Sequence, residues 1–226
     1  MLSMPGCCWL CHLPLHLAVQ GMCSHCLRRL PPLPPCCPQC GLPAFSHQPC
    51  GRCLQKPPPW HALVAVTAYQ PPLSQLVSQL KFSGVTALSV MLARLILLSW
   101  LQARRDRQLQ RPDMILTVPL HHHRAWRRGF NQVALLAKPL ARWTGSRYVP
   151  QAIRRQRAGA VQHQLTARAR RKNLRGAFRL EIDVRGRHIA LLDDVVTTGS
   201  TAAEISRLLL VAGAASIQIW CLCRTL

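Results

Sequence analysis

Two adjacent aspartates end an apolar run near the C-terminus, in the stretch IALLDDVVTTGST at residues 189–201. Asp193 and Asp194 follow four apolar residues, and a turn rich in Thr and Ser comes directly after them. Neighbouring carboxylates can accept hydrogen bonds from the vicinal hydroxyls of a sugar or hold the water shell of Mg²⁺. Hydroxyls and free backbone N–H groups at the start of a helix bind phosphate. The pattern therefore predicts a sugar-phosphate site.

The candidate phosphate ligands are the residues of that turn: Thr197, Thr198, Gly199, Ser200 and Thr201. The apolar run at 189–192 predicts a strand buried on both faces, and ligands bind beyond the carboxyl ends of strands in a parallel sheet. Two other interpretations fit the same residues. One is a plain strand-to-helix turn with an N-capping side chain, and the other is a Walker-B-like strand of an ATPase. The sequence has no G-x-x-x-x-G-K-[ST] loop, which argues against the ATPase.

Four Cys-x-x-Cys pairs lie in the first 53 residues, which contain ten of the twelve cysteines. Two such pairs complete a tetrahedral four-thiolate zinc site with no open position, so the sites would be structural. The intervals of eleven, ten and nine residues between successive pairs predict two consecutive zinc ribbons, although interleaved ribbons would leave the same spacing. The predicted ligands are Cys8, Cys11, Cys23 and Cys26 for one zinc ion, and Cys37, Cys40, Cys50 and Cys53 for the other. Cys7 and Cys36, which are adjacent to two of these ligands, are interpreted as bystanders, although a shift of one ligand to either position would also fit the sequence.

Disulfide bonds are the main alternative for these cysteines, and they would require an oxidising compartment. The first residues lack the charged segment and the uninterrupted apolar segment of a signal peptide. The longest mostly apolar stretch, 85–100, is short for a bilayer and contains Arg94. Its helical spacing predicts a core helix, with the apolar positions Leu88, Met91, Leu92, Leu95 and Leu98. We therefore expect a cytoplasmic protein without a membrane span.

A stiff segment, Lys56-Pro57-Pro58-Pro59, separates the cysteine-rich part from the rest of the chain. We expect two domains, at residues 1–56 and 57–226. The second part predicts a strand at 114–118, a helix at 133–140 that Pro139 should kink or end, and the strand of the aspartate motif. A helix stopped by Gly213 and an alternating strand at 217–221 follow. This order of strands and helices predicts an α/β fold with a parallel sheet.

The chain is strongly basic, with 29 Lys and Arg against seven Asp and Glu and a formal charge of +22. Two four-thiolate zinc sites, each carrying −2, would lower this charge from +22 to +18. The charge favours nucleic acid or phosphorylated small molecules as partners over an inert basic surface. Residues 154–175 contain eight Arg or Lys and no acid. This block fits a solvated loop, a flap over a site or a nucleic-acid contact through Arg168, Arg170, Arg171 and Lys172.

Three smaller features have competing interpretations. Lys81, in the stretch Leu-Lys-Phe, fits either a phosphate contact or an exposed position on a helix. The successive residues His121, His122 and His123 cannot all face one ion, which favours a solvated loop over a metal site. Trp126 stands alone among arginines, which favours packing over stacking on a nucleobase.

The aspartate motif resembles, at all thirteen positions, the phosphoribosyl pyrophosphate (PRPP) signature of type I phosphoribosyltransferases. The whole chain resembles the ComF/GntX family, on the four cysteine pairs and on Leu80-Lys81-Phe82, Val118-Pro119, Arg128-Gly129-Phe130-Asn131-Gln132, Gln164-Leu165 and Asn173. This resemblance implies a double zinc ribbon followed by a type I phosphoribosyltransferase-like domain. It also implies a role in DNA uptake for competence or in the use of extracellular DNA as a nutrient.

The resemblance also implies roles for single residues. Asp193 and Asp194 would be the catalytic acids that hold the ribose hydroxyls and Mg²⁺, and residues 197–201 would hold the 5′-phosphate of PRPP. Arg124, Arg127 and Arg128 would contact pyrophosphate, and the block at 154–175 would close over the site. An enzyme of this kind would displace pyrophosphate from the anomeric carbon of ribose with a base.

Three functions stay open at this point. The chain could bind or convert PRPP or a nucleotide, or it could be a non-enzymatic accessory protein that binds single-stranded DNA in the uptake machinery. It could also be a zinc-ribbon scaffold that recruits other DNA-uptake proteins.

Overall fold

The computed structural model describes residues 6–45, 48–120, 131–156 and 176–226, which form an α/β fold. The strands are β1 Ala62–Ala68, β2 Met114–Thr117, β3 Arg147–Tyr148, β4 Ile153–Arg155, β5 Phe178–Leu180, β6 His188–Leu192, β7 Val195–Val196 and β8 Ser216–Arg224. The main sheet has the order β1-β8-β6-β2-β3, with β7 also paired to β8, and every pair in it is parallel. A separate antiparallel pair joins β4 and β5. The predicted parallel α/β fold is confirmed.

Helices cover both faces of the main sheet. Two short helices, α1 Ser24–Arg28 and α2 Gly51–Gln55, lie in the cysteine-rich segment, and the helices that pack on the sheet are α3 Leu73–Phe82, α4 Leu88–Arg107, α5 Gln132–Thr144 and α6 Ser200–Val211. Side chains alternate along the strands, so that Trp220 and Leu222 of β8 pack with α3, α4 and α5, whereas Ile219 and Cys221 pack with α6. Burial on both faces explains why the central strands are apolar throughout.

The sheet has a topological switch point between β2 and β6. The chain leaves β2 through α5 to β3 on one side, and it leaves β6 through α6 to β8 on the other side. The two helices lie on opposite faces of the sheet. A crevice at the carboxyl ends of two such strands is where open α/β sheets bind their ligands. The fold therefore predicts a site directly after β2 and β6.

Helix α4 corrects the predicted core pattern at one position. Leu88, Met91, Leu92 and Leu95 are buried as expected, but Leu98 is exposed, and Ile96 and Trp100 are buried instead. At 3.6 residues per turn, Leu98 lies about 120° from Leu92 and about 20° from Met91, at the edge of the buried face, where the contact with Gly21 covers Met91. Among the described helices, none is both long and apolar enough to span a bilayer.

Two further elements differ from their sequence predictions. Helix α5 continues past Pro139 to Thr144, because Leu140, Ala141 and Thr144 are buried beyond the proline and their packing opposes the loss of one hydrogen bond. Strand β8 runs for nine residues and is buried on both faces rather than on alternate residues. It pairs with β1, β6 and β7, so both of its edges lie inside the sheet.

The cysteine-rich segment is built from two similar modules. In each one, the first Cys-x-x-Cys pair lies in a tight turn: Cys8 N–H donates to the Leu13 carbonyl and Cys37 N–H to the Leu42 carbonyl, both at 2.9 Å. Each second pair begins a five-residue helix, α1 or α2. The two modules therefore repeat one local fold, which is what a shared ligand geometry imposes on two short segments.

Gly21 marks the contact between the first module and α4, and it supplies a test of that contact. Gly21 has a φ of +65°, and a Cβ there would lie 2.6 Å from Met91 Cβ. Gly84 has a φ of +66°, and no atom would lie within 4 Å of a Cβ there. An alanine at Gly84 therefore measures the cost of the positive φ alone, without a steric clash. We expect Gly84→Ala to lower the free energy of unfolding by about 1 kcal/mol and Gly21→Ala by about 3 kcal/mol. Urea unfolding of the zinc-loaded protein measures both, and equal losses would contradict this packing.

Candidate functional site

The two aspartates lie at the switch point, between β6 and β7. Asp193 N–H donates to the Trp220 carbonyl at 2.9 Å, and the Asp194 carbonyl accepts from Leu222 N–H at 3.1 Å, so both residues remain attached to β8. The end of β2 is adjacent, because Val118 N–H donates to the Leu192 carbonyl at 3.0 Å. The predicted position at the carboxyl end of a buried strand is confirmed.

Asp194 is held by two side chains from different helices. Lys81 Nζ of α3 lies 2.8 Å from its Oδ1 in an ion pair, and Gln132 Nε2 of α5 donates to its Oδ2 at 2.6 Å. The side chains of Lys81 and Asp194 are 16% and 9% exposed, so the pair is largely shielded from water. The interpretation of Lys81 as an exposed surface residue is therefore wrong. Because both its oxygens are occupied, Asp194 has a fixed orientation.

Asp193 has a different environment from its neighbour. Its Oδ1 accepts the Asp194 N–H at 2.9 Å, and the residue is half-buried. Burial, together with the charge of Asp194, raises the pKa of Asp193 to about 7, although the Asp194 N–H and the Lys81 charge oppose the rise. The two adjacent carboxyl groups therefore differ: that of Asp194 is held in place by Lys81, whereas that of Asp193 titrates near neutral pH.

The hydroxyl-rich turn lies directly beyond the acid pair, as the sequence predicts. Thr197 and Thr198 are exposed, Gly199 has a φ of +71° at the N-cap, and α6 begins at Ser200. The Thr198 and Ser200 hydroxyls lie 2.9 Å apart. The first N–H groups of α6 have no partners within the helix, and the helix dipole places partial positive charge there. The turn thus combines hydroxyl and N–H donors at one helix start, next to Asp193 and Asp194.

The predicted basic contacts fall outside the described residues. They are Arg124, Arg127 and Arg128 in the segment 121–130, and Arg168, Arg170, Arg171 and Lys172 in the segment 157–175. The interpretations of the three histidines at 121–123, of Trp126 and of the motif residues Gln164, Leu165 and Asn173 fall there as well. The described strands on either side of the second segment, β4 and β5, form an antiparallel pair.

The two modules each bring four cysteines together. One group is Cys8, Cys11, Cys23 and Cys26, the other is Cys37, Cys40, Cys50 and Cys53, and within each group the sulfurs lie within 4.8 Å of one another. This is the consecutive pairing, so the interleaved alternative is wrong. Neither group includes Cys7 or Cys36, and the cysteines of the described chain are free thiols rather than disulfides.

The sulfur geometry fits a zinc ion in each group. Cys11 Sγ and Cys23 Sγ are 3.8 Å apart, as are Cys40 Sγ and Cys50 Sγ. Two thiolates bound to one tetrahedral zinc at about 2.3 Å would be separated by about 3.8 Å. This separation is far longer than the roughly 2.05 Å of a disulfide. Each group could therefore hold a zinc ion.

Backbone donors prepare two of the buried sulfurs, those of Cys8 and Cys37, to bind a metal as thiolates. Cys23 N–H donates to Cys8 Sγ and Cys50 N–H donates to Cys37 Sγ, both at 3.4 Å. Burial raises the pKa of Cys8, but N–H donors from Cys11, Cys23 and Leu10 outweigh it and lower the pKa to about 6. The same balance at Cys37, with donors from Cys40, Cys50 and Gln39, gives a pKa of about 7. Such N–H donors to sulfur are typical of the shell around a metal site.

Sequence reasoning missed Gln132 as a site residue, and it did not foresee the ion pair of Lys81 with Asp194. Gln132 directly follows Asn131, whose Oδ1 accepts from Val133 N–H at 3.1 Å and caps the start of α5. An N-capping residue at the start of a helix that faces the carboxyl edge of the sheet is the signal that could have identified Gln132.

The chain is similar to several known proteins. A family model described as "Phosphoribosyl transferase domain" matches residues 128–226, which include the acid pair and the hydroxyl-rich turn. The "DNA utilization protein YhgH" of Escherichia coli O157:H7 is 59% identical over 100% of both chains. "Competence protein F" of Haemophilus influenzae is 40% identical over 95% of both chains. A solved purine phosphoribosyltransferase from Pyrococcus horikoshii is similar at 18% identity, with a TM-score of 0.38, over 59% of this chain and 72% of that one.

The relatives that match the full length identify the family. Their identity extends over both the paired four-cysteine modules and the α/β domain with its phosphoribosyltransferase match. The chain therefore belongs to the ComF/GntX family, the family of the DNA utilization protein YhgH and of competence protein F.

Proposed function

We propose that the crevice after β2 and β6 binds the ribose 5-phosphate group of PRPP or of a nucleotide, together with Mg²⁺, in a protein that serves DNA uptake or the use of DNA as a nutrient. One observation carries the proposal: the acid pair and the hydroxyl-rich turn lie side by side at a topological switch point. The carboxylates suit ribose hydroxyls, and the helix start suits a phosphate about one sugar away.

The contacts of the two aspartates indicate a different role for each. Asp194 keeps the orientation that Lys81 and Gln132 impose, and it adds negative charge next to Asp193. Asp193 is the carboxylate that meets the ribose hydroxyls and Mg²⁺. Carboxylate oxygens and waters are the ligands that Mg²⁺ prefers, so the residues present fit this cation.

The remaining roles concern the two ends of the ligand. Residues 197–201 bind the 5′-phosphate, and Arg124, Arg127 and Arg128 contact the pyrophosphate group. The two four-cysteine groups hold structural zinc ions, because four thiolates leave no open position on the metal.

The titration of Asp193 makes PRPP binding depend on pH. Only the ionised carboxylate coordinates Mg²⁺, and the pKa of this group is about 7. We expect the Mg²⁺-dependent affinity for PRPP to rise about tenfold from about pH 6 to about pH 8 and to level off at higher pH. Isothermal titration of the zinc-loaded protein across this range measures the profile. The Asp193→Asn variant retains the titration of the ligand's own phosphates, so an identical profile in that variant would refute the assignment.

A second candidate function is the binding of single-stranded DNA by the basic surface. Seven carboxylates cannot neutralise 29 Lys and Arg, and the chain keeps a charge of +18 even with two zinc–thiolate sites of −2 each subtracted from +22. Two full-length relatives carry DNA utilization and competence in their names. A basic surface of this kind binds the phosphate backbone without regard to sequence.

The salt dependence of binding tests this second function. We expect the logarithm of the affinity for an oligonucleotide to fall linearly with the logarithm of salt concentration, by about 0.7 for each phosphate contact. Neutralising Arg168, Arg170, Arg171 and Lys172 together should make the slope shallower, whereas neutralising the exposed Arg179 alone should change it by about one contact at most. An affinity that stays flat with salt would exclude the function.

A further inference from the structure

Arg224, in the last strand, fixes the residues that lead into the hydroxyl-rich turn. The residue is 5% exposed, and it lies at the end of β8 opposite Val196 of β7. Its Nη1 donates to the carbonyls of Val196 at 3.0 Å and of Thr225 at 2.7 Å, and also to the carbonyl of Thr197. A buried guanidinium therefore holds the backbone at the point where the turn begins.

The same guanidinium also reaches the second four-cysteine module. Its Nε donates to the Cys40 carbonyl at 2.9 Å, in the turn that contains the metal-ligand pair Cys37 and Cys40. A planar guanidinium offers several donors in a rigid fork, so one side chain can join two backbone segments at a fixed separation. The four-thiolate zinc site carries −2, which also compensates the buried positive charge of Arg224.

Trp60 makes a second, independent connection between the module and the turn. Its Nε1 donates to the Gln39 carbonyl at 2.7 Å, between the two cysteines of that pair. At its other end the ring lies against Gly199, where a Cβ would be 3.2 Å from Trp60 Cη2. The ring therefore spans from the metal-binding turn to the N-cap of α6.

The first module has a different neighbour. Its Cys8 and Met22 are buried in the core that contains α4, and Gly21 is in contact with Met91 of that helix. The two modules have the same local fold, but the first packs near the start of α4, at Met91, whereas the second contacts the last residue of that helix, where Arg107 Nη1 donates to the Pro38 carbonyl at 3.4 Å. This difference makes the first module a natural control for the second.

We propose that the second four-cysteine module positions the hydroxyl-rich turn, with Arg224 and Trp60 as the positioning residues. When the module holds its zinc ion, the carbonyls of Gln39 and Cys40 are fixed, and through them the turn keeps the conformation that a phosphate would require. Loss of this metal loosens the turn, whereas loss of the metal in the first module does not. The consequence for ligand binding rests on the proposed function, but the effect on the turn does not.

Hydrogen exchange of the full-length, zinc-loaded protein tests the proposal without a ligand. Cys40→Ser and Cys11→Ser are matched, since each removes the second ligand of the first pair in its module. We expect Cys40→Ser to speed amide exchange in a peptide that covers residues 197–201 by about tenfold or more, and Cys11→Ser to change it by less than about twofold while it speeds exchange in α4. No acceleration in Cys40→Ser, or an equal one in Cys11→Ser, would overturn the proposal.

A milder variant keeps the test valid if a cysteine variant does not fold. Arg224→Lys retains the charge but cannot bond to the separate carbonyls at once. We expect it to keep the zinc content of the wild type and to speed exchange at 197–201, with α4 unchanged; unchanged exchange at 197–201 would overturn the proposal. Titration with Mg²⁺ and PRPP is the second readout, with an affinity loss of about tenfold expected for Arg224→Lys. If the wild type binds no PRPP, the proposed function fails, and the exchange result still decides the positioning role.

Discussion

Replacing Lys81 with methionine is expected to lower the free energy of unfolding by about 3 kcal/mol. Methionine preserves most of the aliphatic length, so the main change is the loss of a cation 2.8 Å from Asp194 Oδ1. The carboxylate is left at 9% exposure with Gln132 as its remaining side-chain donor. Removal of one partner from a buried pair is costly because it leaves the other charge uncompensated. Urea unfolding of the zinc-loaded protein measures the change.

Two further variants separate this effect from lost packing. Adding Asp194→Asn to Lys81→Met removes both charges, and we expect the double variant to recover stability to within about 1 kcal/mol of the wild type. Arg179→Met breaks the ion pair with Glu181, where the side chains are 64% and 33% exposed, and it should cost less than about 1 kcal/mol. Equal losses in Lys81→Met and Arg179→Met would contradict the buried character of the Lys81–Asp194 pair.

Removal of zinc is expected to unfold the cysteine-rich segment and to lower the free energy of unfolding by more than about 5 kcal/mol. Helices α1 and α2 have five residues each, and Cys53 is the only buried residue in either of them. Helices this short do not form on their own in water, so the metal must hold them. The loss also exposes the core contacts that Cys8 and Met22 make beside α4.

Chelation followed by limited proteolysis measures this change. The segment up to Lys56-Pro57-Pro58-Pro59, which contains both groups of cysteines, should become sensitive to protease, and zinc added back should restore resistance. The metal content of the untreated protein should be two zinc ions per chain, one for each group of cysteines. A content of one, or a protease pattern that chelation leaves unchanged, would contradict the double zinc site.

Local chemistry explains what could be predicted from the sequence. The cysteine pairs carry their ligand spacing within a few residues, so the eight ligands could be predicted from the sequence, whereas the choice between consecutive and interleaved pairing required the structure. The apolar run before Asp193 and Asp194 likewise encodes a buried strand, and a parallel sheet then places its carboxyl end at the site. In both cases the determining interactions are close in sequence.

The contacts that could not be predicted join distant parts of the chain. Lys81, Gln132 and Asp194 come from α3, α5 and the end of β6, and no local pattern indicates that they meet. Arg224 is a similar case, because the last strand must first lie between β1 and β6 before its side chain can reach Cys40. Helix α5 passes through Pro139 because tertiary packing outweighs the local preference.

The most direct test of the central claim is titration of the zinc-loaded protein with PRPP and Mg²⁺ at about pH 8, where Asp193 is ionised. Wild type is compared with Asp193→Asn/Asp194→Asn and with Asp183→Asn, a control at an exposed aspartate that pairs with Arg185. Zinc content and unfolding midpoint establish that each variant is folded. We predict that the wild type and the control bind with equal affinity and that the acid-pair variant binds at least about a hundredfold more weakly, a loss of about 2.8 kcal/mol. Equal affinity in the acid-pair variant, or no binding by the wild type, would contradict the proposed site.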